Sequence, residues 1–293
     1  MSLSAGHRTL SDLIGNEILT PHPIRHPKST IAYLGYSSGT SGKAKGVQTS
    51  HFNMTSVLSI LHPLGITQHD VQLAVLPLSH IYGLTKILHW PVLVGTPVVV
   101  LPRFELVPFC RAVQTHKVTV VMLVPPIALN LARDPEVAKW DLSSLRLVIS
   151  GAAPMGKDLE DETAARLGCA VGQAYGLTET SPTTHFSPVP RAGSIGTLLP
   201  NIKSRICDVA SGEDVGVGKE GEMLLAGPTV MLGYHNNPQS TAETLVKDKE
   251  GNVWLRTGDV AYVDLDGYHF VTDRIKELST CSSTSFQPTP PGR

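Results

Sequence analysis

The chain has little charge of either sign in any one place, few aromatic residues, four scattered cysteines and no long apolar run, and each shortage closes a class of function. Lys and Arg number 24 against 25 Asp and Glu, and no segment gathers like charges into a track that could follow a phosphate backbone, so nucleic acid is not expected as a partner. Cys110, Cys169, Cys207 and Cys281 lie far apart with no CxxC pair, which speaks against a zinc knot or a disulfide scaffold and for reduced packing thiols. The most apolar stretches, "PVLVGTPVVVL" and "VTVVMLVPPIAL", are broken by Gly or Pro before the ~18 residues a spanning helix needs, so they are expected to be buried strands and no membrane span is expected. The first residues, "MSLSAGHRTLSDLIGNE", hold no signal-like apolar run and the last three, "PGR", match no peroxisomal address, so a cytoplasmic protein is the expectation.

What remains is a globular composition. Hydrophobic residues make up 41% against 17% charged, too apolar for general disorder, and 293 residues fit one large domain or two of on the order of 100–200 residues. From about residue 30 to residue 173, the runs "IAYLGY", "VQLAVL", "TPVVVL", "VTVVMLV" and "LRLVIS" alternate with helical segments. Among the latter, "SHFNMTSVLSILH" spaces Phe52, Val57, Leu58 and Leu61 for a helix, and "KDLEDETAARLG" carries an Ala/Leu stripe and a Gly stop. Alternating strands and helices predict βαβ units around a buried sheet, an α/β fold. After residue 195, "KSRICD", "GEMLLAG", "VWLRTGD" and "DGYHFVTD" predict a smaller β-rich part. The expected division is a leader or linker over 1–30, an α/β core over 31–200, the β-rich subdomain over 201–278, and a disordered Ser/Thr/Pro-rich tail over 279–293.

"GYSSGTSGKAKGVQTSH" follows a strand-like run and precedes a helical one, which places small residues from Ser37 to Gly42 at a predicted strand-to-helix turn. Such residues let backbone N–H groups approach an anion closely, while the hydroxyls of Ser37, Ser38, Thr40 and Ser41 and the charges of Lys43 and Lys45 add donors. The pattern GxxxxGK[ST] of Walker NTPases is not met, because Ser37 stands at the first glycine and Ala44 at the metal-binding hydroxyl. Taken alone, a mobile Gly/Ser-rich surface loop explains the segment as well.

Five stretches in order lift that tie. "YSSGTSGKAKGV", "LPLSHIYGL", "SGAAPMGKDLEDE", "GQAYGLTETSP" and "WLRTGDVAYVDLDGYHFVTDRIKEL" resemble the motifs of the adenylate-forming superfamily, with the texture of its 4-coumarate-CoA ligase branch. The resemblance spans residues 31–278; Ala44 replaces the family's usual Pro, and Ser41 one of its Thr residues.

It implies the large N-terminal region of the adenylate-forming fold in βαβ layers followed by a small β-rich subdomain. The implied activity joins a carboxylic acid, aryl or medium-length, to ATP and passes it to coenzyme A. The loop of Ser37, Ser38, Gly39, Thr40, Ser41, Gly42, Lys43 and Lys45 would hold the β- and γ-phosphates. Thr178 would bond a phosphate oxygen and Glu179 would hold Mg²⁺. Asp259 would accept the ribose hydroxyls, with Arg274 donating to ribose or phosphate. Tyr175 would stack on adenine, with the backbone of Gly172, Gln173 and Ala174 along its edge. His80 would gate the acyl carboxylate, and Tyr82, Ala153, Gly172, Ala174, Pro182 and Thr183 would surround the acyl group. Lys276 would reach the hinge. His51, His89, His185 and His269 show no metal-ligand spacing and are expected to be structural or exposed.

The sequence departs from the family pattern at both ends. Only 36 residues precede Ser37, and after "DRIKEL" the chain runs into "STCSSTSFQPTPPGR" in place of a mobile C-terminal lid with its lysine. The expectations are exposed sheet edges, weak binding of ATP-Mg²⁺ and poor adenylation. Three readings stay open: a ligase, residual here or completed by another polypeptide; a non-catalytic nucleotide- or acyl-binding pseudoenzyme; and the incomplete product of a damaged or misread gene.

Overall fold

Strands that are apolar on every residue can persist only where both faces of a sheet are covered. Val120–Leu123 and Leu147–Ser150, "VVML" and "LVIS", are such strands, and every residue of both is buried. In the computed structural model, which describes residues 22–37, 44–186, 189 and 191–275, they form the centre of a five-stranded parallel sheet.

The strands in chain order are β1 (Ile31–Ser37), β2 (Lys45–Ser50), β3 (Gln72–Ala74), β4 (Val98–Val100), β5 (Val120–Leu123), β6 (Leu147–Ser150), β7 (Ala170–Gln173), β8 (Tyr175–Gly176), β9 (Thr183–Phe186), β10 (Thr197–Leu198), β11 (Lys203–Cys207), β12 (Gly221–Ala226), β13 (Leu245–Lys247), β14 (Val253–Val263) and β15 (His269–Arg274). The helices are α1 (His51–Ile60), α2 (Ile81–Gly83), α3 (Trp90–Val94), α4 (Leu106–His116), α5 (Pro125–Arg133), α6 (Lys157–Leu167) and α7 (Pro238–Thr244). A π-helical stretch, Leu84–His89, joins α2 to α3. The parallel sheet runs β4-β3-β5-β6-β7; β11-β12-β14-β13 form an antiparallel sheet with β15 on β14; β10-β9-β8 form a third, and β1 and β2 a hairpin.

The two faces of the parallel sheet divide by alternation. Leu73, Val121, Leu123 and Val148 point to one side, where they pack on Phe109 and Val113 of α4, Leu131 of α5 and Leu167 of α6. Ala74, Val120, Met122, Leu147 and Ile149 point to the other, toward Ile60, Ile87 and Trp90, and into one cluster with Ile206, Met223, Leu225 and Ala261 of the antiparallel sheet. The expected boundary at residue 200 falls at a turn, and the apolar cluster is continuous across it. Three of the helices carry a clear stop or start signal. Two prolines open α5, Gly168 closes α6 in the left-handed region, and Ser50 and Asn53 form a capping box on α1.

The strand-to-helix turn predicted after Ser37 is corrected. β1 is followed by a strand, and the two pair antiparallel with Ser37 opposite Lys45, so the small-residue segment connects a hairpin. The helix starts only at His51. The expected helix over "SHFNMTSVLSILH" is present, and its buried face is Asn53, Met54, Val57 and Ile60, with Leu61 following. Residues 26–30, expected to be linker, lie on α1: Phe52 N–H donates to the Pro27 carbonyl at 2.9 Å, and the Lys28 ammonium sits 5.2 Å from the Phe52 ring centre. β4 forms one edge of the parallel sheet, and beside it Val92, Leu93 and Val100 are 80, 60 and 63% exposed around an apolar hollow lined by Leu78, Ile87, Leu88 and Val98. No helix of the described residues is long and apolar enough to cross a membrane.

Candidate functional site

Open α/β sheets bind ligands outside the carboxyl ends of their strands. Here Gly151 and Ala152 follow β6 and Ala174 follows β7, and all three line a cavity of about 590 Å³. The start of α2, the end of β1, the start of β2, residues 174–179 and the 255–258 part of β14 enclose it from the other sides.

Of the residues singled out from the sequence, the cavity wall gathers Ser37, Lys45, His80, Tyr82, Ala174, Tyr175, Thr178, Glu179, Pro182, Thr183 and Arg274. Asp259 lies directly behind it. Its carboxylate is 2% exposed, with Oδ1 accepting from Arg274 Nε at 2.8 Å and Oδ2 from the Tyr175 hydroxyl at 2.5 Å. Burial and the neighbouring Asp259 charge hold the Tyr175 phenol well above its ordinary pKa, so it stays a donor.

Glu179 stands in a short helical turn after Leu177, and its Oε1 accepts from the Tyr234 hydroxyl at 2.8 Å. The Lys45 ammonium lies 4.8 Å from the centre of the same Tyr234 ring. Burial first, then the Glu179 carboxylate, raises the Tyr234 pKa. Among the described residues no group of three His, Cys, Asp or Glu side chains could hold a metal. A lone carboxylate whose second oxygen has no partner among the described residues is nonetheless the donor set that suits Mg²⁺, which takes one or two carboxylates plus phosphate oxygens and water.

His80 precedes α2 and accepts the Tyr82 N–H on Nδ1 at 3.2 Å, which leaves Nε2 to carry the proton of the neutral ring. Partial burial lowers its pKa. The Tyr82 hydroxyl donates to the Ile149 carbonyl at 3.1 Å, fixing the ring beside Gly151, where a Cβ would stand 3.2 Å from Tyr82 Cζ. At Gly176 a Cβ would be 1.7 Å from the Pro182 carbonyl oxygen, so this wall admits only glycine. Ser37 and Thr183 each bring a buried hydroxyl with no partner among the described residues.

Three expected residues stand elsewhere. Gly172 is buried inside β7, paired with Ile149, one step short of the strand end where the cavity begins. Gln173 ends β7 without joining the cavity wall, and its side chain accepts from Met155 N–H and donates to the Met155 carbonyl, both at 2.9 Å, and to Glu160. Ala153 is exposed outside the cavity, because Ala152 takes a left-handed backbone (φ 67°) that turns the chain away. Ser38, Gly39, Thr40, Ser41, Gly42, Lys43 and Lys276, and the tail over 279–293, lie outside the described residues. Of the histidines, His185 is fully buried between Tyr175 and His269, and His89 accepts or donates a 2.7 Å bond with the Tyr33 hydroxyl.

The structure adds residues that sequence reasoning passed over. Arg256 is paired with Glu222 at 2.5 Å, and Glu222 also accepts from Gly258 N–H, which sets the turn ahead of Asp259. Lys86, from the π-helical stretch, also reaches the wall. Its only sequence signal is a single cation inside the apolar run "YGLTKILHW".

A family model described as AMP-binding enzyme matches residues 5–235. A probable 4-coumarate-CoA ligase of Dictyostelium discoideum is 42% identical over 269 residues, covering 89% of this chain and 48% of that relative. Among solved structures, ATP-bound MatB from Rhodopseudomonas palustris superposes with a TM-score of 0.77 at 30% identity, covering 83% of this chain and 48% of that one. A long-chain-fatty-acid-CoA ligase from Archaeoglobus fulgidus gives 0.78 at 26%, covering 88% and 54%. The chain thus spans about half the length of the curated relatives it matches.

Proposed function

Because the chain belongs to the AMP-binding, adenylate-forming enzyme family, we propose that its cavity activates a carboxylic acid with ATP, as the first step toward an acyl-coenzyme A. One acid oxygen attacks the α-phosphorus, the α–β anhydride bond breaks, and pyrophosphate leaves with the electron pair. In the second step the thiol of coenzyme A attacks the acyl carbon and AMP departs. The observation that carries this reading is that Lys45, Thr178, Glu179, His80, Tyr175 and Arg274, which come from four separate sequence motifs, line one cavity with Asp259 behind it.

Lys45 and the Ser37 hydroxyl, which has no partner among the described residues, would meet phosphate oxygens as charge builds on them. Thr178 adds a further hydroxyl. Glu179 would hold Mg²⁺, which when bound would neutralise phosphate charge. Tyr175 offers its ring to the adenine while Asp259 fixes its hydroxyl and the Arg274 guanidinium; each Asp259 oxygen keeps a lone pair for a ribose hydroxyl. His80, neutral at pH 7 with a donor on Nε2, is suited to orient the acyl carboxylate without pairing with it as a cation.

The test is a thermal shift with ATP-Mg²⁺ followed by pyrophosphate exchange. At 100 times Kd, bound nucleotide adds about 2.7 kcal/mol of stability. That gain should disappear in Asp259→Ala and lose its magnesium dependence in Glu179→Gln. No shift at millimolar ATP would remove the reading, and binding without AMP release would reduce the protein to a nucleotide binder.

A further inference from the structure

Lys86 is a cation on the cavity wall that nucleotide chemistry does not use. It is 2% exposed and reaches the cavity from the π-helical stretch, with its ammonium 4.9 Å from the centre of the Tyr82 ring. It has no hydrogen-bond or ion-pair partner among the described residues. The other cations of the wall are accounted for. Arg256 pairs with Glu222, Arg274 pairs with Asp259, and Lys45 lies over Tyr234 beside Glu179 at the phosphate end. Lys86 stands instead against Tyr82, on a cavity wall that Thr183 also lines. The Thr85 hydroxyl donates to the Ser181 carbonyl at 3.3 Å and so ties the π-helical stretch to the turn that carries Pro182 and Thr183. Thr183 independently brings a hydroxyl that is buried and unpartnered among the described residues.

Burying a cation with nothing opposite it costs far more than burying a hydrocarbon of the same size. Leu or Met would serve better here if the acyl group ended in hydrocarbon. An arriving anion reverses that balance, because the lysine and the hydroxyl then both find their partner inside a low-dielectric wall.

We propose that the acid taken by this cavity carries a second carboxylate, remote from the one activated, and that Lys86 receives it with Thr183 donating a further hydrogen bond. The proposal rests on the acid-activation reading and narrows its substrate class to dicarboxylic acids.

Matched pairs of ligands separate the two. Adipate against its monomethyl ester, and 4-carboxycinnamate against its 4-methyl ester, are titrated calorimetrically into the full chain at pH 7 with Mg²⁺ and a non-hydrolysable ATP analogue. In at least one pair the diacid should bind tenfold or more tighter than the ester. Lys86→Met should erase that preference by weakening the diacid while leaving the ester within twofold, and Lys86→Arg should retain it. No diacid preference in either pair overturns the proposal, as does loss of diacid and ester alike in Lys86→Met, which would put Lys86 on the activated carboxylate. If the analogue binds and no acid does, the proposal fails and the nucleotide site stands. If the analogue does not bind, the acid-activation reading fails first. The wild-type pairs decide the matter even if a variant does not fold.

Discussion

A lysine enclosed in a cavity wall leaves a pH signature in stability. The side chain titrates at its ordinary 10.5 in the unfolded chain, whereas burial lowers it to about 7 in the folded one. Between those values the unfolded chain holds the extra proton, so stability rises with pH across that window. Below pH 7 both states are charged and the penalty is constant; above 10.5 both are neutral and it is gone. Lys86→Met is therefore expected to stabilise the protein by on the order of a few kcal/mol at pH 7. The gain should shrink as pH rises from 7 toward 10.5, as urea melts across pH 6–10 would measure. A melt in which the difference does not change with pH would contradict an uncompensated charge. This residue was illegible in the sequence, because one lysine among apolar neighbours looks the same whether its head enters the interior or snorkels out. Lys45, His80, Thr178, Glu179 and Arg274 were legible, since each stands in a motif rich in residues that meet phosphate or carboxylate. Gly172 and Gln173 were assigned to the cavity because sequence cannot locate a strand end to one residue, and at the end of β7 one residue separates the cavity wall from the interior, while Ala153 was assigned there because the left-handed turn at Ala152 leaves no local pattern.

At the level of elements, the fold was readable where burial leaves a period and unreadable where backbone pairing does the holding. β5 and β6 announce themselves by uninterrupted apolar residues, and α6 by its stripe and Gly168. β2, "KGVQTS", has one aliphatic residue, Val47, and is held by β1 and by residues 232–235, with Gln48 N–H donating to Gly233 and Leu232 N–H to Gln48. No local pattern reports such a long-range bond. The joint between these parts is Asn53. It receives the Ser50 N–H on its side chain, completes the cap of α1, and donates through Nδ2 to the carbonyls of Pro228 and Val230 at 2.8 and 2.9 Å. Asn53→Ala removes a cap and strands two carbonyl groups, and a loss of on the order of 2–3 kcal/mol follows. The midpoint of urea unfolding should fall accordingly with the slope unchanged. A shift under half that size would mean that water replaces the side chain.

For the whole molecule, the parallel sheet is a partition. One face serves helices α4, α5 and α6, and the other shares its apolar cluster with the antiparallel sheet, so the cavity forms where two sheets meet and each wall is held by a different one. That convergence was foreseeable only through the order of motifs, since Lys45 and Arg274 come from opposite ends of the described chain. The partition also has an unfinished border. At β4 a row of peptide groups has no neighbouring strand among the described residues, and Val92, Leu93 and Val100 crowd beside it in the open. Purified material should therefore turn cloudy as it is concentrated, by one molecule lending its border to the next. Val92→Lys with Val100→Lys should keep the solution clear to several times the concentration, read by light scattering, with nucleotide affinity unaltered. If scattering is the same in both, the stickiness of this protein resides elsewhere.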